Sequence, residues 1–241
     1  MTDTPRSPNR DRLMRTARLL RPLLSELVFV GGQVAELLVT DPAVVRVRPT
    51  DDVDVVVPVT TRTAYHALQV RLMALGFTPD HRAGAPVCRM RTADDLILDV
   101  MPLDDAILGF SNRWYPYAFA NATPFTLEPT LDIRIASAVA FLAMKWEAFE
   151  SRGAADPMSS HDLEDLITVV AGRAGIVAEV RAAPEEIRRY VCAKTGAFLA
   201  ASWAPEILEG NLPDARRVPG LVDAVMGRLQ QLAAAGNRVD A

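Results

Sequence analysis

The chain contains the stretch Arg48-Pro49-Thr50-Asp51-Asp52-Val53-Asp54-Val55-Val56-Val57, in which closely spaced acids lead into an apolar run. Alternate side chains of a β-strand point to the same face. A strand over this stretch would therefore place the carboxylates of Asp52 and Asp54 side by side at its start. Because carboxylate oxygens are preferred ligands of hard divalent cations, the stretch predicts a metal site at the mouth of a buried strand.

A glycine pair stands upstream of this stretch. Residues 27–30 predict a short buried strand that breaks at Gly31-Gly32 and continues as a helix over residues 33–38. Glycines let backbone amides and a helix N-terminus approach an anion closely, which is how a phosphate is held without a side chain. Gly31 and Gly32 are therefore candidate phosphate-binding residues.

A third acid lies downstream, in a predicted hairpin. Its arms are residues 87–91 and 96–101, and residues 92–95 form the turn. Asp99 lies in the second arm, on the covered side of the predicted sheet, where an isolated charge would cost too much free energy to lack a partner. Two interpretations stay open: Asp99 joins Asp52 and Asp54 at a metal site, or a nearby arginine satisfies it.

Composition limits the classes of protein to which the chain can belong. It has 241 residues, 50% hydrophobic and 23% charged, with a formal net charge of -4. That mildly acidic balance argues against a general nucleic-acid coat protein. Cys88 and Cys192 are far apart and predict neither a disulfide framework nor a zinc site. The N-terminus is polar and arginine-rich, unlike a signal peptide, and no apolar run approaches the roughly 20 residues that a membrane span requires. We therefore expect a soluble cytoplasmic protein.

Two segments have both a binding and a structural interpretation. The arginines among the first 21 residues either steer a polyanion or form the solvated face of an amphipathic helix. Residues 102–129 are irregular and rich in aromatic side chains. Rings beside Arg113 and Trp114 either stack a nucleic-acid base or pack against one another.

The second half of the chain predicts helices over residues 133–150, 160–171, 184–201 and 220–234. The sequence thus predicts an α/β domain over residues 1–129 and a helical domain over residues 130–241. Lys145 falls at the edge of an apolar stripe, where an ammonium either reaches into a cleft or extends to solvent. Asp162 and Asp165 fall near a helix start, where the helix dipole stabilises acids without any function.

In their order, the glycine turn, the Asp-x-Asp strand and the third Asp strand resemble the nucleotidyltransferase superfamily that includes DNA polymerase beta. The segments FLAMKWEAF (141–149), Arg152-Gly153 and SHDLEDL (160–166) are similar to the AbiEii/AbiGii family of nucleotidyltransferase toxins. This resemblance spans about residues 28–173. The chain departs from it in two places. The superfamily usually has Gly-Ser after the first strand, whereas Gln33 follows Gly31-Gly32 here, and many relatives have a basic residue where this chain has Ala154-Ala155.

The resemblance implies an α/β (α+β) nucleotidyltransferase fold with a mixed sheet, followed by a helical domain. It implies two Mg²⁺ ions, replaceable by Mn²⁺, held by Asp52, Asp54 and Asp99, with Lys145 also catalytic. The residues that it implies for NTP binding are Gly31, Gly32, Arg48, Thr50, Lys145, Asp162 and Asp165. The implied reaction moves an NMP from an NTP to an acceptor hydroxyl and releases pyrophosphate.

The resemblance also implies a biological role, that of a toxin in a toxin-antitoxin or phage-defence module. The acceptor would be RNA such as tRNA, and a cognate antitoxin would be the protein partner. Two alternatives stay open. One is a small-molecule adenylyltransferase of the antibiotic-modifying kind, and the other is a non-catalytic module that binds a nucleotide or an antitoxin.

Overall fold

The computed structural model describes residues 7–41, 46–212, 215 and 217–236. The chain divides into two compact units. The first, here the sheet unit, comprises Met1–Glu36 and Pro49–Ser137. The second, the helical unit, comprises Leu37–Arg48 and Ala138–Ala241. Each unit is described separately below.

The sheet unit is built on a seven-stranded sheet with the order β3-β4-β5-β2-β1-β7-β6. The strands are β1 (Val28–Val30), β2 (Asp52–Val57), β3 (Thr78–Pro79), β4 (Arg89–Arg91), β5 (Ile97–Pro102), β6 (Thr123–Glu128) and β7 (Leu131–Ile135). The sheet is mixed, because β2 is parallel to β5 and antiparallel to β1, whereas β1 is parallel to β7. The central strand β1 is buried throughout, and β2 is buried at Val53 and from Val55 to Val57, as expected for strands covered on both faces.

Local signals in the sequence account for most element ends in this unit. The helices that accompany the sheet are α1 (Pro8–Leu19), α2 (Gly32–Leu38), α3 (Arg62–Ala74), α4 (Asp105–Leu108) and α5 (Tyr115–Ala120), and a 3-10 turn covers Arg21–Glu26. Ser7 caps α1 and Thr61 caps α3 through their hydroxyl groups. Gly76 follows α3 with a φ of 92°, the left-handed conformation that ends many helices.

The helical unit contains α6 (Ala138–Ala148), α7 (His161–Gly172), α8 (Ile176–Ala182), α9 (Glu185–Ala200), α10 (Ala204–Asn211) and α11 (Leu221–Ala234). Helix α6 is its centre, because every residue from Ala138 to Trp146 is buried. A helix that is apolar on all sides is expected at such a position. A π-helical turn over Phe149–Gly153 continues α6, and Ser160 caps α7.

The α/β fold class with a mixed sheet and a helical C-terminal part is confirmed. The predicted helix from residue 133 is wrong at its start, because Leu131–Ile135 forms β7 and pairs with β6, a strand that the sequence did not predict. The sheet unit accordingly continues past residue 129 to Ser137. Within the described ranges, no helix has both the length and the apolar character to cross a membrane.

Candidate active site

The three predicted metal-binding acids lie on the two neighbouring parallel strands β2 and β5. Asp54 on β2 is the direct register partner of Asp99 on β5. Directly opposed residues of paired strands have their side chains on the same face. Asp52, two residues before Asp54, shares that face. The side chain of Asp52 is 33% exposed, whereas that of Asp99 is 9% exposed. The fold thus places the three carboxylates on one face of two neighbouring strands, and together they are called here the carboxylate cluster.

Arg89 binds two of the acids in the carboxylate cluster, Asp99 and Asp52. It lies on β4 opposite Asp99. Its Nε donates to Asp99 Oδ1 at 2.9 Å and its Nη2 donates to Asp99 Oδ2 at 2.7 Å, while Nη2 also donates to Asp52 Oδ2 at 3.0 Å. The hydrogen bonds to Asp99 raise the pKa of Arg89 above its ordinary value. The predicted arginine partner of Asp99 is therefore present, and it serves Asp52 as well.

A hydrogen-bond network fixes the residues that precede Asp52. Thr50 Oγ1 donates to Asp52 Oδ1 at 2.9 Å. The backbone of Thr50 is held from two sides: its N–H donates to buried Asn9 Oδ1 at 2.9 Å, and its carbonyl oxygen accepts from Gln33 Nε2 at 3.1 Å. Arg12 donates to the same carbonyl oxygen. Thr50, predicted to bind nucleotide, thus positions a carboxylate in this structure.

Gly31 lies against the carboxylate cluster. Its φ is 74°, and a Cβ added to it would come within 1.9 Å of Asp54 Oδ2. No side chain other than hydrogen fits there, so the glycine is required by the closeness of Asp54 and not only by the turn. Gly32 begins α2, and Gln33, in the position that departs from the superfamily pattern, is 1% exposed. Phosphate binding by Gly31 and Gly32 stays a prediction.

The carboxylate cluster has the oxygen ligands that Mg²⁺ and Mn²⁺ prefer. One guanidinium group, with a single positive charge, serves both Asp52 and Asp99, so a divalent cation in its place would neutralise the two carboxylates more fully. In the present arrangement, however, Arg89 holds both oxygens of Asp99 and one oxygen of Asp52. Among the described residues, no group of three or more His, Cys, Asp or Glu side chains is arranged to hold a metal ion. The residue types fit a divalent cation, on condition that Arg89 gives up oxygens that it holds.

Cys88 and Tyr65 lie close to the carboxylate cluster in the sheet unit. Burial raises the pKa of the Cys88 thiol to about 12, and the charge of Asp99 adds to the effect. Burial likewise raises the pKa of Tyr65, whose hydroxyl donates to the Val100 carbonyl oxygen at 2.9 Å. Both groups stay neutral at physiological pH, so neither serves as a nucleophile or a base beside the carboxylates.

The remaining predicted site residues meet in the helical unit, in a buried ion network. Lys145 Nζ donates to Asp162 Oδ1 at 3.0 Å and to Asp165 Oδ2 at 2.6 Å. Arg48 donates twice to Asp165, at 2.8 and 3.1 Å. Arg152 donates twice to Asp162, at 2.8 and 2.9 Å. Each carboxylate thus has one lysine and one arginine as partners.

The pKa values of this network follow from a balance of burial and charge. Burial alone would lower the pKa of Lys145, but the nearby Asp165 and Asp162 carboxylates outweigh it, and the pKa is raised. Burial alone would raise the pKa of Asp162, but hydrogen bonds from Arg152 and the charge of Lys145 outweigh it, and the pKa is lowered. Lys145 and Asp162 are therefore both charged at neutral pH.

The π-helical turn after α6 brings Arg152 to the network. A Cβ added to Gly153 would come within 2.6 Å of Ser160 Oγ and 2.7 Å of Phe149 Cδ2. Glycine at this position therefore allows the turn to pack against the start of α7, where Asp162 lies. The Arg152-Gly153 pair in the sequence has a structural explanation in this contact.

The two segments with alternative interpretations are used internally in the sheet unit. Arg12 pairs with Asp51, Arg15 with Asp94 and Arg18 with Glu128, so these arginines attach α1 to the unit. Trp114 is 5% exposed and makes an edge contact with Tyr117 at a centroid distance of 6.4 Å. These contacts favour packing over base stacking and over polyanion steering.

Sequence reasoning did not single out Arg89, although a signal for it existed. With residues 92–95 as the hairpin turn, the register places residue 89 opposite residue 99, as the structure has it. Asn9 was also missed. No local pattern could have found it, because its partner Thr50 lies 41 residues away in the chain.

Comparisons with known proteins bear on the fold. No protein-family model matches the chain, and no curated protein matches it. Among solved structures, it is similar to an antigenic nucleotidyltransferase-like protein from Paracoccidioides brasiliensis, with 17% sequence identity and a TM-score of 0.51. The match covers 92% of this chain and 95% of that one. The chain therefore has a nucleotidyltransferase-like fold.

Proposed function

We propose that the chain transfers a nucleoside monophosphate from an NTP to an acceptor hydroxyl, with pyrophosphate as the second product. The observation that carries this proposal is the register of Asp54 with Asp99 on adjacent parallel strands, with Asp52 beside them and Gly31 against Asp54. The nucleotidyltransferase-like fold supports the same reaction class.

Asp52, Asp54 and Asp99 are the residues that would hold Mg²⁺ or Mn²⁺. Bound there, two such ions would stabilise the negative charge on the attacking oxygen of the acceptor hydroxyl and on the oxygen with which pyrophosphate leaves. Thr50 keeps Asp52 in its orientation, and Gly31 leaves room for Asp54. In the reaction the acceptor oxygen bonds to the α-phosphorus, the bond to the β-phosphate breaks, and a nearby carboxylate accepts the hydroxyl proton.

The nucleotide-binding roles of Arg48, Lys145, Asp162 and Asp165 rest on the sequence resemblance alone. All four have partners within the ion network of the helical unit. A phosphate that contacts Lys145 would have to replace Asp162 or Asp165 as its partner. We therefore give these residues a stabilising role first and keep nucleotide binding as a prediction for them.

The proposed acceptor is RNA such as tRNA, and the proposed biological role is that of a toxin with a cognate antitoxin. Both proposals come from the similarity of the 141–166 segment to the AbiEii/AbiGii toxins. A small hydroxyl compound is the alternative acceptor, because the same carboxylate arrangement would serve an antibiotic-modifying adenylyltransferase.

A second candidate function is a non-catalytic module that binds a nucleotide or an antitoxin. The observation that favours it is the position of Arg89, which already satisfies Asp52 and Asp99. Such a module would keep the fold and its ion pairs without needing a divalent cation.

The test is an assay with each NTP, labelled in its α-phosphate, in the presence of Mn²⁺ or Mg²⁺. Total cellular RNA and a panel of hydroxyl-bearing small molecules serve as acceptors, and pyrophosphate release is measured alongside. Asp54→Asn should lower transfer at least about 100-fold, since it removes a carboxylate of the proposed metal site. Asp94→Asn is the matched control, because Asp94 lies in the hairpin turn and pairs with Arg15.

Each outcome separates the candidates. Labelled RNA supports the RNA-directed transferase, and a labelled small molecule supports the antibiotic-modifying kind. If no acceptor is labelled and pyrophosphate stays at the level of an EDTA control, transfer is refuted. Retained binding of a non-hydrolysable NTP would then favour the non-catalytic module.

A further inference from the structure

Arg89 occupies the oxygens that a divalent cation would need. Its three hydrogen bonds use both oxygens of Asp99 and one oxygen of Asp52, at 2.7 to 3.0 Å. The pairing of β4 with β5 puts Arg89 directly opposite Asp99. The position of the guanidinium group is thus set by the sheet register and not only by a flexible surface contact.

The chemistry of the two cations makes them rivals for the same carboxylates. A guanidinium group binds a carboxylate through two parallel hydrogen bonds, which fixes the oxygens and uses their lone pairs. A divalent cation on those oxygens would also lie within a few ångströms of the guanidinium charge and repel it. Simultaneous binding of both cations to Asp99 is therefore unfavourable.

We propose that Arg89 is a built-in competitor of the divalent cation, which stabilises the metal-free carboxylate cluster and must release Asp52 and Asp99 before a metal ion binds. This inference rests on the proposed function, since it takes the carboxylate cluster as the metal site. Under this inference, the apparent affinity of the chain for a metal ion depends on Arg89 as well as on the carboxylates that bind the ion.

The expected size of the effect follows from population arithmetic. When a binding-competent form makes up only a fraction of the protein, the apparent dissociation constant is the intrinsic one divided by that fraction. Hydrogen bonds between charged groups are stronger than those between neutral groups, and Arg89 makes three of them. The Arg89-bound form should dominate in the absence of metal, and removal of Arg89 should tighten metal binding at least about tenfold.

The experiment is a calorimetric titration of the full chain with MnCl₂ after EDTA treatment, without nucleotide. Arg89→Met removes the competing charge and keeps much of the side-chain volume. Arg91→Met is the matched control, because Arg91 lies on the same strand but pairs with Asp95 and Asp80. Arg89→Met should lower the dissociation constant for Mn²⁺ at least about tenfold, and Arg91→Met should leave it unchanged. Adding Asp54→Asn to Arg89→Met should abolish the gain.

A second measurement keeps the inference testable if Arg89→Met folds poorly. Arg89→Lys keeps the charge but cannot form the two parallel bonds to Asp99. It should bind Mn²⁺ more tightly than the wild type. Its melting temperature in EDTA should be lower than that of the wild type, and the addition of Mn²⁺ should raise its melting temperature by more. If the dissociation constant for Mn²⁺ is equal to or higher than that of the wild type in both variants, the inference is overturned.

The failure of this inference can be told apart from that of the proposed function. If the wild type binds Mn²⁺ and transfers nucleotide, but the Arg89 variants bind Mn²⁺ no more tightly, only the inference fails. If neither the wild type nor the Arg89 variants bind Mn²⁺ and no transfer occurs, both fail.

Discussion

Replacing Lys145 by Met removes one positive charge from the buried ion network and keeps most of the side-chain volume. Lys145 is 7% exposed and donates to both Asp162 and Asp165. If the network stabilises the helical unit, this single change should lower the free energy of unfolding strongly. If Lys145 extends from a stripe edge towards a cleft, as the sequence pattern also allowed, the change should affect ligand binding far more than stability.

The expected loss in the free energy of unfolding depends on the hydrogen bonds that Asp162 and Asp165 keep in the variant. Breaking a buried ion pair by removing one partner costs about 3–5 kcal/mol, because an uncompensated charge stays behind. Here Asp162 keeps two hydrogen bonds from Arg152, and Asp165 keeps two from Arg48. Neither carboxylate is left without a cation, so we expect a loss of about 2–3 kcal/mol, at or below the low end of that range.

The assay is urea-induced unfolding followed by far-ultraviolet circular dichroism. Lys194→Met in the same unit is the matched control, because Lys194 pairs with Glu150 while the two side chains are 30% and 44% exposed. A pair of that exposure should contribute less than about 1 kcal/mol. Equal free energies of unfolding for Lys145→Met and the wild type, or equal losses for the two lysine variants, would refute the stabilising role of the network.

Further predictions concern the two charge clusters and the glycine turn. Asp99→Asn should lower the free energy of unfolding in EDTA by about 1.5–3 kcal/mol, because Arg89 loses charge-assisted bonds; an unchanged urea midpoint would contradict this. Gly84→Ala should cost about 1 kcal/mol, since its φ is 82° and no described atom lies within 4 Å of the added Cβ. Gly31→Ala should cost more and abolish transfer, because its Cβ would displace a carboxylate. The lowered pKa of Asp162 means that its contribution is present above its unfolded pKa, about 3.9, and is lost as pH falls through the folded value. Melting temperatures at descending pH should therefore fall more steeply for the wild type than for Asp162→Asn.

The neighbourhood of Asp99 shows how far local sequence rules reach. The hairpin arms, the turn and the need for a partner followed from alternation and from the cost of a buried charge. The register then points to Arg89, and the structure has that pair. Local rules could not predict the hydrogen bond from Arg89 to Asp52. That contact depends on the parallel pairing of β2 with β5, two strands that are distant in the sequence.

The error at residues 133–135 has a physical cause. Leu131, Ile133 and Ile135 alternate with polar residues, which is the pattern of a half-buried strand, and their burial follows that alternation. The apolar run of α6 begins only three residues after Ile135. The alternating pattern of the strand therefore leads almost directly into the apolar helix, and the boundary between them is hard to see in the sequence. Pairing with β6 decides in favour of the strand, and that pairing is tertiary information.

The position of Lys145 was predicted from a one-sided stripe, which assumes that a helix buries a single face. Helix α6 is buried at every residue from Ala138 to Trp146, so burial there is not limited to one face of the helix. The sequence does indicate a helix that is buried on all sides, since Ala138–Met144 has no polar residue. In a fully buried helix, a lysine has to be neutralised internally, and Asp162 and Asp165 do this.

This neutralisation gives the motif in residues 141–166 a structural interpretation. Lys145, Asp162 and Arg152 satisfy one another within the helical unit, so selection for stability alone would preserve their spacing. The carboxylate cluster differs, because one singly charged arginine serves both Asp52 and Asp99, and a divalent cation in its place would neutralise them more fully. Chemistry that needs a divalent cation is therefore better supported by the carboxylate cluster than by the longer motif. For the same reason, metal titration tests the proposed function more directly than substitution of the motif lysine, whose loss would disturb the fold first.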